Sequence, residues 1–125
     1  MSELSDHLMA SGIKVAAGPV LSGCLMAQEL STASKGKIKA VFLPKVGYGT
    51  NKHGGMFYIR DPWVWVDDLI CSGSELYHSY SIVRNRGIKL APGAIIVFSS
   101  SMPCDPPKEW GDVPMFVLRA RRRAR

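Results

Sequence analysis

Three short runs of this chain, Ile38 to Leu43 (IKAVFL), Trp63 to Val66 (WVWV) and Ala94 to Phe98 (AIIVF), are apolar almost throughout, whereas a strand with one wet face alternates apolar with polar residues. Such strands need cover on both faces. The segments between them can supply it. Cys24 to Leu30 (CLMAQEL) carries apolar residues at helical spacing and runs toward a stop at Ser34 to Gly36. A second helix is expected over Glu75 to Arg86, with Leu76, Tyr80 and Val83 on one face, N-cap residues among Ser72 to Ser74, and Gly87 as its stop. Buried strands alternating with helices predict an α/β fold: a mostly parallel sheet with helices on both faces and a Rossmann-like core. Ligands of such sheets gather at the carboxyl ends of the strands, near a topological switch point.

The remaining segments fit around that frame. Ile13 to Ala17 reads as a short extended piece, Met56 to Ile59 as a returning strand, and Val113 to Leu118 as an edge-type strand. Pro103, Pro106 and Pro107 exclude regular structure before it. At 125 residues with 46% hydrophobic content, the chain can build one core and not two. No run approaches the roughly 20 apolar residues of a membrane span, and MSELSDHLMASG lacks the features of a secretion signal. Cys24, Cys71 and Cys104 are odd in number and have no CxxC spacing, which points to a reducing cytoplasm rather than a disulfide framework or zinc site.

The formal charge of +6 is not spread evenly. Arg119, Arg121, Arg122, Arg123 and Arg125 lie in the last seven residues, so the rest of the chain carries only +1. This divides the chain into a single domain over residues 1–118 and a basic, Arg-rich tail over 119–125. The tail could bind nucleic acid or an acidic partner, or could simply be solvated.

Two loops combine unusual chemistry. After WVWV come Asp67 and Asp68, then Leu69, Ile70, Cys71, Ser72, Gly73 and Ser74 at the start of the second helix. A helix N-terminus offers unpaired N–H groups and the positive end of the macrodipole to a phosphate, and small residues allow close approach. Paired carboxylates can accept hydrogen bonds from sugar hydroxyls or help to hold a hydrated divalent metal. Phosphate plus ribose is the ligand that both halves suit. Each half alone has a plainer reading, as a strand end or an ordinary cap.

Taken together, four strand residues, two acids, two apolar residues and small-Ser-Gly-Ser resemble the signature with which type I phosphoribosyltransferases bind 5-phosphoribosyl 1-diphosphate (PRPP). The resemblance implies that Asp67 and Asp68 contact the ribose and that Cys71, Ser72, Gly73 and Ser74 line its 5-phosphate. Ala17 to Gly23 (AGPVLSG) resembles the family's diphosphate loop, which would place Val20, Leu21, Ser22 and Gly23 against the leaving group. Pro44-Lys45 and the glycine-rich stretch Val46 to Gly55 resemble the flexible catalytic loop, with Lys45 meeting the diphosphate. Within that loop Lys52-His53-Gly54-Gly55 is most like the orotate phosphoribosyltransferase branch, and Lys52 and His53 join Asp67 and Asp68 as the implied catalytic residues.

The implied activity is transfer of a phosphoribosyl group from PRPP to a nitrogen acceptor, orotate or another nucleobase, with release of diphosphate. Mg²⁺ is the implied cofactor, and a homodimer the implied assembly. Only about a dozen residues precede the first strand, so most of the N-terminal hood that recognises the acceptor is expected to be absent. The alternative is a PRPP- or nucleotide-binding regulator without catalysis, which could use its tail on nucleic acid.

Overall fold

A computed structural model of the chain describes residues 1–44, 58–70, 74–100 and 105–118. Its elements follow in the order α1 (Ser2–Ala10), β1 (Val15–Pro19), α2 (Ser22–Ala33), β2 (Lys39–Leu43), β3 (Trp63–Ile70), α3 (Ser74–Asn85), β4 (Ile95–Ser100), a 3-10 turn (Lys108–Trp110) and β5 (Met115–Val117). The five strands form one sheet in the order β2-β1-β3-β4-β5. Every pairing is parallel, with Val15 opposite Lys39 on one side and Trp63 on the other.

Strand alternation divides the core into two layers. Val15, Ala17, Trp63, Trp65, Ile95 and Val97 face α3, where they meet Leu76, Tyr80 and Val83. Ala16, Val64, Val66 and Ile96 face the other way, onto Leu8 of α1 and Met26, Ala27 and Leu30 of α2. Helices therefore cover both faces, as the uniformly apolar runs require. Gly87, at φ +78°, follows α3 in the left-handed conformation that ends a helix. No helix among the described residues is long and apolar enough to cross a membrane.

Three expectations change. Ile38 to Leu43 is not buried on both sides: β2 is an edge strand, with Val41 and Leu43 inside and Phe42 48% exposed. Tyr58 and Ile59 belong to no strand, because Ile59 is held in the α3-side core by its side chain rather than by a ladder; residues 56–57 lie outside the described residues. β3 runs on to Ile70, past the point where the acids were expected to end it, and pairs with β4 as far as Ser100.

The tryptophans pack as cores do. Trp110 meets Trp63 edge-on at 5.8 Å and Tyr80 at 5.7 Å, closing the end of the α3-side layer. Trp63 donates its Nε1 hydrogen to the Leu90 carbonyl at 2.9 Å, while the equally buried Trp65 Nε1 has no partner among the described residues. Phenylalanine should thus be tolerated better at Trp65 than at Trp63. We expect denaturant titrations to separate the two variants by about 1 kcal/mol, the worth of the hydrogen bond lost only at Trp63.

Candidate functional site

β1 is followed by α2 and then β2 on one side, whereas the chain returns to β3 on the other side of β1. The connections therefore diverge at the carboxyl ends of β1 and β3. A crevice at such a divergence is where open α/β sheets bind ligands. It holds the turn Val20-Leu21 and the start of α2 from β1, and Asp67 and Asp68 from β3.

Three backbone segments approach closely there. A Cβ built at Gly18 would meet the Gly23 carbonyl and lie 2.8 Å from the Val66 carbonyl oxygen, and one at Gly23 would lie 2.7 Å from that same oxygen. Only glycine permits β1, the first turn of α2 and β3 to come this near. The Val20–Leu21 peptide bond is cis, and the Val20 N–H donates to the Leu43 carbonyl at 3.0 Å, tying the turn to the end of β2. Leu21 is exposed and Ser22 half-buried. Cys24, in the first turn of α2, donates its thiol hydrogen to the Leu21 carbonyl at 2.9 Å; burial pushes its pKa up, which keeps it an unreactive thiol.

The two acids are not equivalent. Successive strand side chains point to opposite faces, and Asp67 is 2% exposed while Asp68 is open to solvent. One oxygen of Asp67, Oδ1, accepts both the Ser22 hydroxyl at 2.9 Å and the Asp68 N–H at 2.8 Å. Burial pushes the Asp67 pKa up to about 6. Its two hydrogen bonds hold that rise in check, and the nearby carboxylates of Asp68 and Glu75 add to it.

Beside this crevice, a cavity of about 300 Å³ lies between the tips of β1 and β2 and the first turns of α3. Pro19, Val20, Pro44, Ser74, Glu75, His78 and Ser79 line it. The diphosphate-type loop and the start of α3 thus share one hollow. His78 and Ser79 carry no sequence motif, and only the helical spacing from Ser74 to His78 could have placed them on that wall. Glu75 is exposed on the first helical turn, where it favours the helix dipole.

No protein-family model matches the chain, and no curated protein sequence does. Solved structures do. Adenine phosphoribosyltransferase from Thermoanaerobacter pseudethanolicus matches with a TM-score of 0.65 and 17% identity, over 94% of this chain and 76% of its own. The fold is that of the phosphoribosyltransferases. The Saccharomyces cerevisiae adenine enzyme, solved with adenine and an imino-altritol bisphosphate, matches at TM-score 0.65 and 14% identity, over 94% of this chain and 72% of its own. Orotate phosphoribosyltransferase from Aeropyrum pernix gives 0.60 and 16%, over 93% and 71%.

Within this phosphoribosyltransferase fold, Ser22 meets Asp67, Gly23 packs against the β3 backbone at Val66, and Val20 and Ser74 line one cavity, with Leu21 and Asp68 exposed. Lys45, Lys52, His53, Cys71, Ser72 and Gly73 lie outside the described residues, as does the tail over 119–125. Among the described residues no three His, Cys, Asp or Glu side chains assemble as a metal cage.

Proposed function

We propose that the chain is a phosphoribosyltransferase that uses PRPP and transfers its phosphoribosyl group to a nitrogen heterocycle, releasing diphosphate. The observation that carries this reading is the hydrogen bond between Ser22 and Asp67 at 2.9 Å. It brings the loop that resembles the diphosphate loop against the strand that bears the acid pair, at the switch point of a phosphoribosyltransferase fold.

Each group has a definite task in that reaction. Asp68, exposed at the end of β3, accepts hydrogen bonds from the ribose hydroxyls. Backbone donors at the start of α2 meet the departing diphosphate, aided by the helix dipole. The loop cations Lys45 and Lys52, together with His53, supply countercharge, and Cys71 to Ser74 hold the 5-phosphate. Asp67, Asp68 and Glu75 make the described part of the site acidic, so a polyanion enters only with compensating positive charge. Mg²⁺ would supply it and would offset the charge that develops on the leaving group. The protein's part is positioning and electrostatics, with no covalent nucleophile.

Calorimetric titration of PRPP into the full chain, with Mg²⁺ and then with a chelator, tests this. We expect saturable binding with Mg²⁺ and at least tenfold weaker binding without it; no binding in either condition would overturn the proposal. Acceptors are then screened for diphosphate release, starting with orotate, the reading favoured by Lys52-His53-Gly54-Gly55, and continuing with adenine. Tight PRPP binding with no acceptor turned over would identify a PRPP-binding regulator instead. Native mass measurement at rising concentration tests the proposed homodimer.

A further inference from the structure

Ser22 occupies the first turn of α2, and its hydroxyl could meet a bound diphosphate or do something else. The geometry shows what it does in the free protein. It donates across a sequence separation of 45 residues to Asp67, the acid of the pair that faces inward. Asp67 Oδ1 then has two donors, Ser22 from the first turn of α2 and the Asp68 N–H from its own strand. The Asp68 amide is part of the peptide that sets where the Asp68 side chain leaves the sheet. An oxygen that takes both donors in this way braces the first turn of α2 against β3.

We propose, building on the PRPP reading above, that Ser22 is a positioning residue: through Asp67 it locks the start of α2 to the Asp67–Asp68 peptide, so that the diphosphate donors and the ribose-binding Asp68 are held at one fixed separation. PRPP spans both positions within one molecule, so a site that lets them drift loses affinity even when every contacting group is intact. The close packing of Gly18, Gly23 and Val66 fixes the backbones on one side of this junction. The Ser22–Asp67 bond fixes the other. Burial also makes Asp67 a costly group to keep as an acid, which fits a residue retained for the brace it forms.

The proposal distinguishes acting through Asp67 from touching the ligand, and a double-mutant cycle read out by the Kd for Mg-PRPP separates the two. Ser22→Ala should weaken binding about tenfold, and Ser22→Thr, which restores the hydroxyl, should recover all but about threefold. Asp67→Ala should also weaken binding about tenfold. The double variant should be no more than about threefold worse than either single one, because both substitutions break the same brace. Should Asp67→Ala not fold, Asp67→Leu, which fills the buried site without offering Ser22 an acceptor, replaces it in the cycle with the same expectation of a shared loss. Losses that multiply to about a hundredfold would mean that Ser22 meets the ligand directly, and would overturn the proposal. So would Ser22→Ala binding within twofold of the unsubstituted chain. If the unsubstituted chain does not bind Mg-PRPP at all, the proposed function falls and takes the positioning role with it; the inference alone fails only when that chain binds and the variants do not follow the pattern.

Discussion

Asp67→Asn makes the protein more stable at pH 8 and leaves its stability at pH 4 nearly unchanged. The reason lies in where the folded state holds the proton. Asp67 has its pKa raised from 3.8 to about 6, chiefly by burial. Between those values the folded chain binds more protons than the unfolded one, so this group's contribution to stability falls as pH rises and is fully lost above about 6. Two decades of proton affinity at about 1.4 kcal/mol each put the cost of ionised Asp67 near 3 kcal/mol. An amide of the same shape escapes that cost but leaves its own N–H₂ imperfectly paired, for a net gain of about 2 kcal/mol at pH 8. Urea titrations of both proteins at pH 4, 5, 6 and 8 check this. The gap between them should open through that range, and a constant gap would mean that folding leaves the Asp67 pKa unshifted.

A methyl group at Gly23 should do the opposite, destabilising the chain by about 3 kcal/mol or more. Its Cβ would lie 2.7 Å from the Val66 carbonyl oxygen and 3.0 Å from Pro19 Cγ, so two strands and a helix would have to separate. Gly18→Ala meets the same obstacle from the other side, against the Gly23 backbone and 2.8 Å from Val66. Gly93 supplies the control. A Cβ there finds Ile13 Cδ1 at 3.5 Å and the Trp63 carbonyl at 3.7 Å, ordinary contact distances, and Gly93→Ala should stay within about 0.5 kcal/mol of the parent. Equal losses at Gly23 and Gly93 in denaturant titrations would contradict the packing described for the crevice.

Much of this architecture was legible in the sequence because hydrophobic pattern and turn chemistry are local. WVWV was read as a buried strand and is, AIIVF was read likewise and is buried over Ile95 to Val97 with Phe98 40% exposed, Leu76, Tyr80 and Val83 do share the buried face of α3, and Gly87 does end that helix. The edge position of β2 was not legible, since IKAVFL looks as apolar as a central strand and only the strand order leaves Phe42 uncovered. For the candidate site, the sequence pointed to both loops and both acids. It could not tell Asp67 from Asp68, because their difference comes from β3 continuing to Ile70 and sending neighbours to opposite faces. Nor could it pair Ser22 with Asp67, a contact between residues 45 apart that exists only once β1 lies beside β3. Trp110 closes the core against Trp63 and Tyr80, residues far from it in sequence, which no local pattern could have paired.

The central place of β1 also bears on how the chain comes off the ribosome. β1 is the first strand synthesised, yet it is flanked by β2 and by β3, whose first paired residue, Trp63, stands opposite Val15. A nascent chain halted before residue 63 has β1 with at most one neighbour, and Ala16 and Ala17, wholly buried in the finished sheet, still within reach of water. β1, α2 and β2 can pack together once Leu43 is free, but the other edge of β1 stays open until Trp63 arrives to pair with Val15.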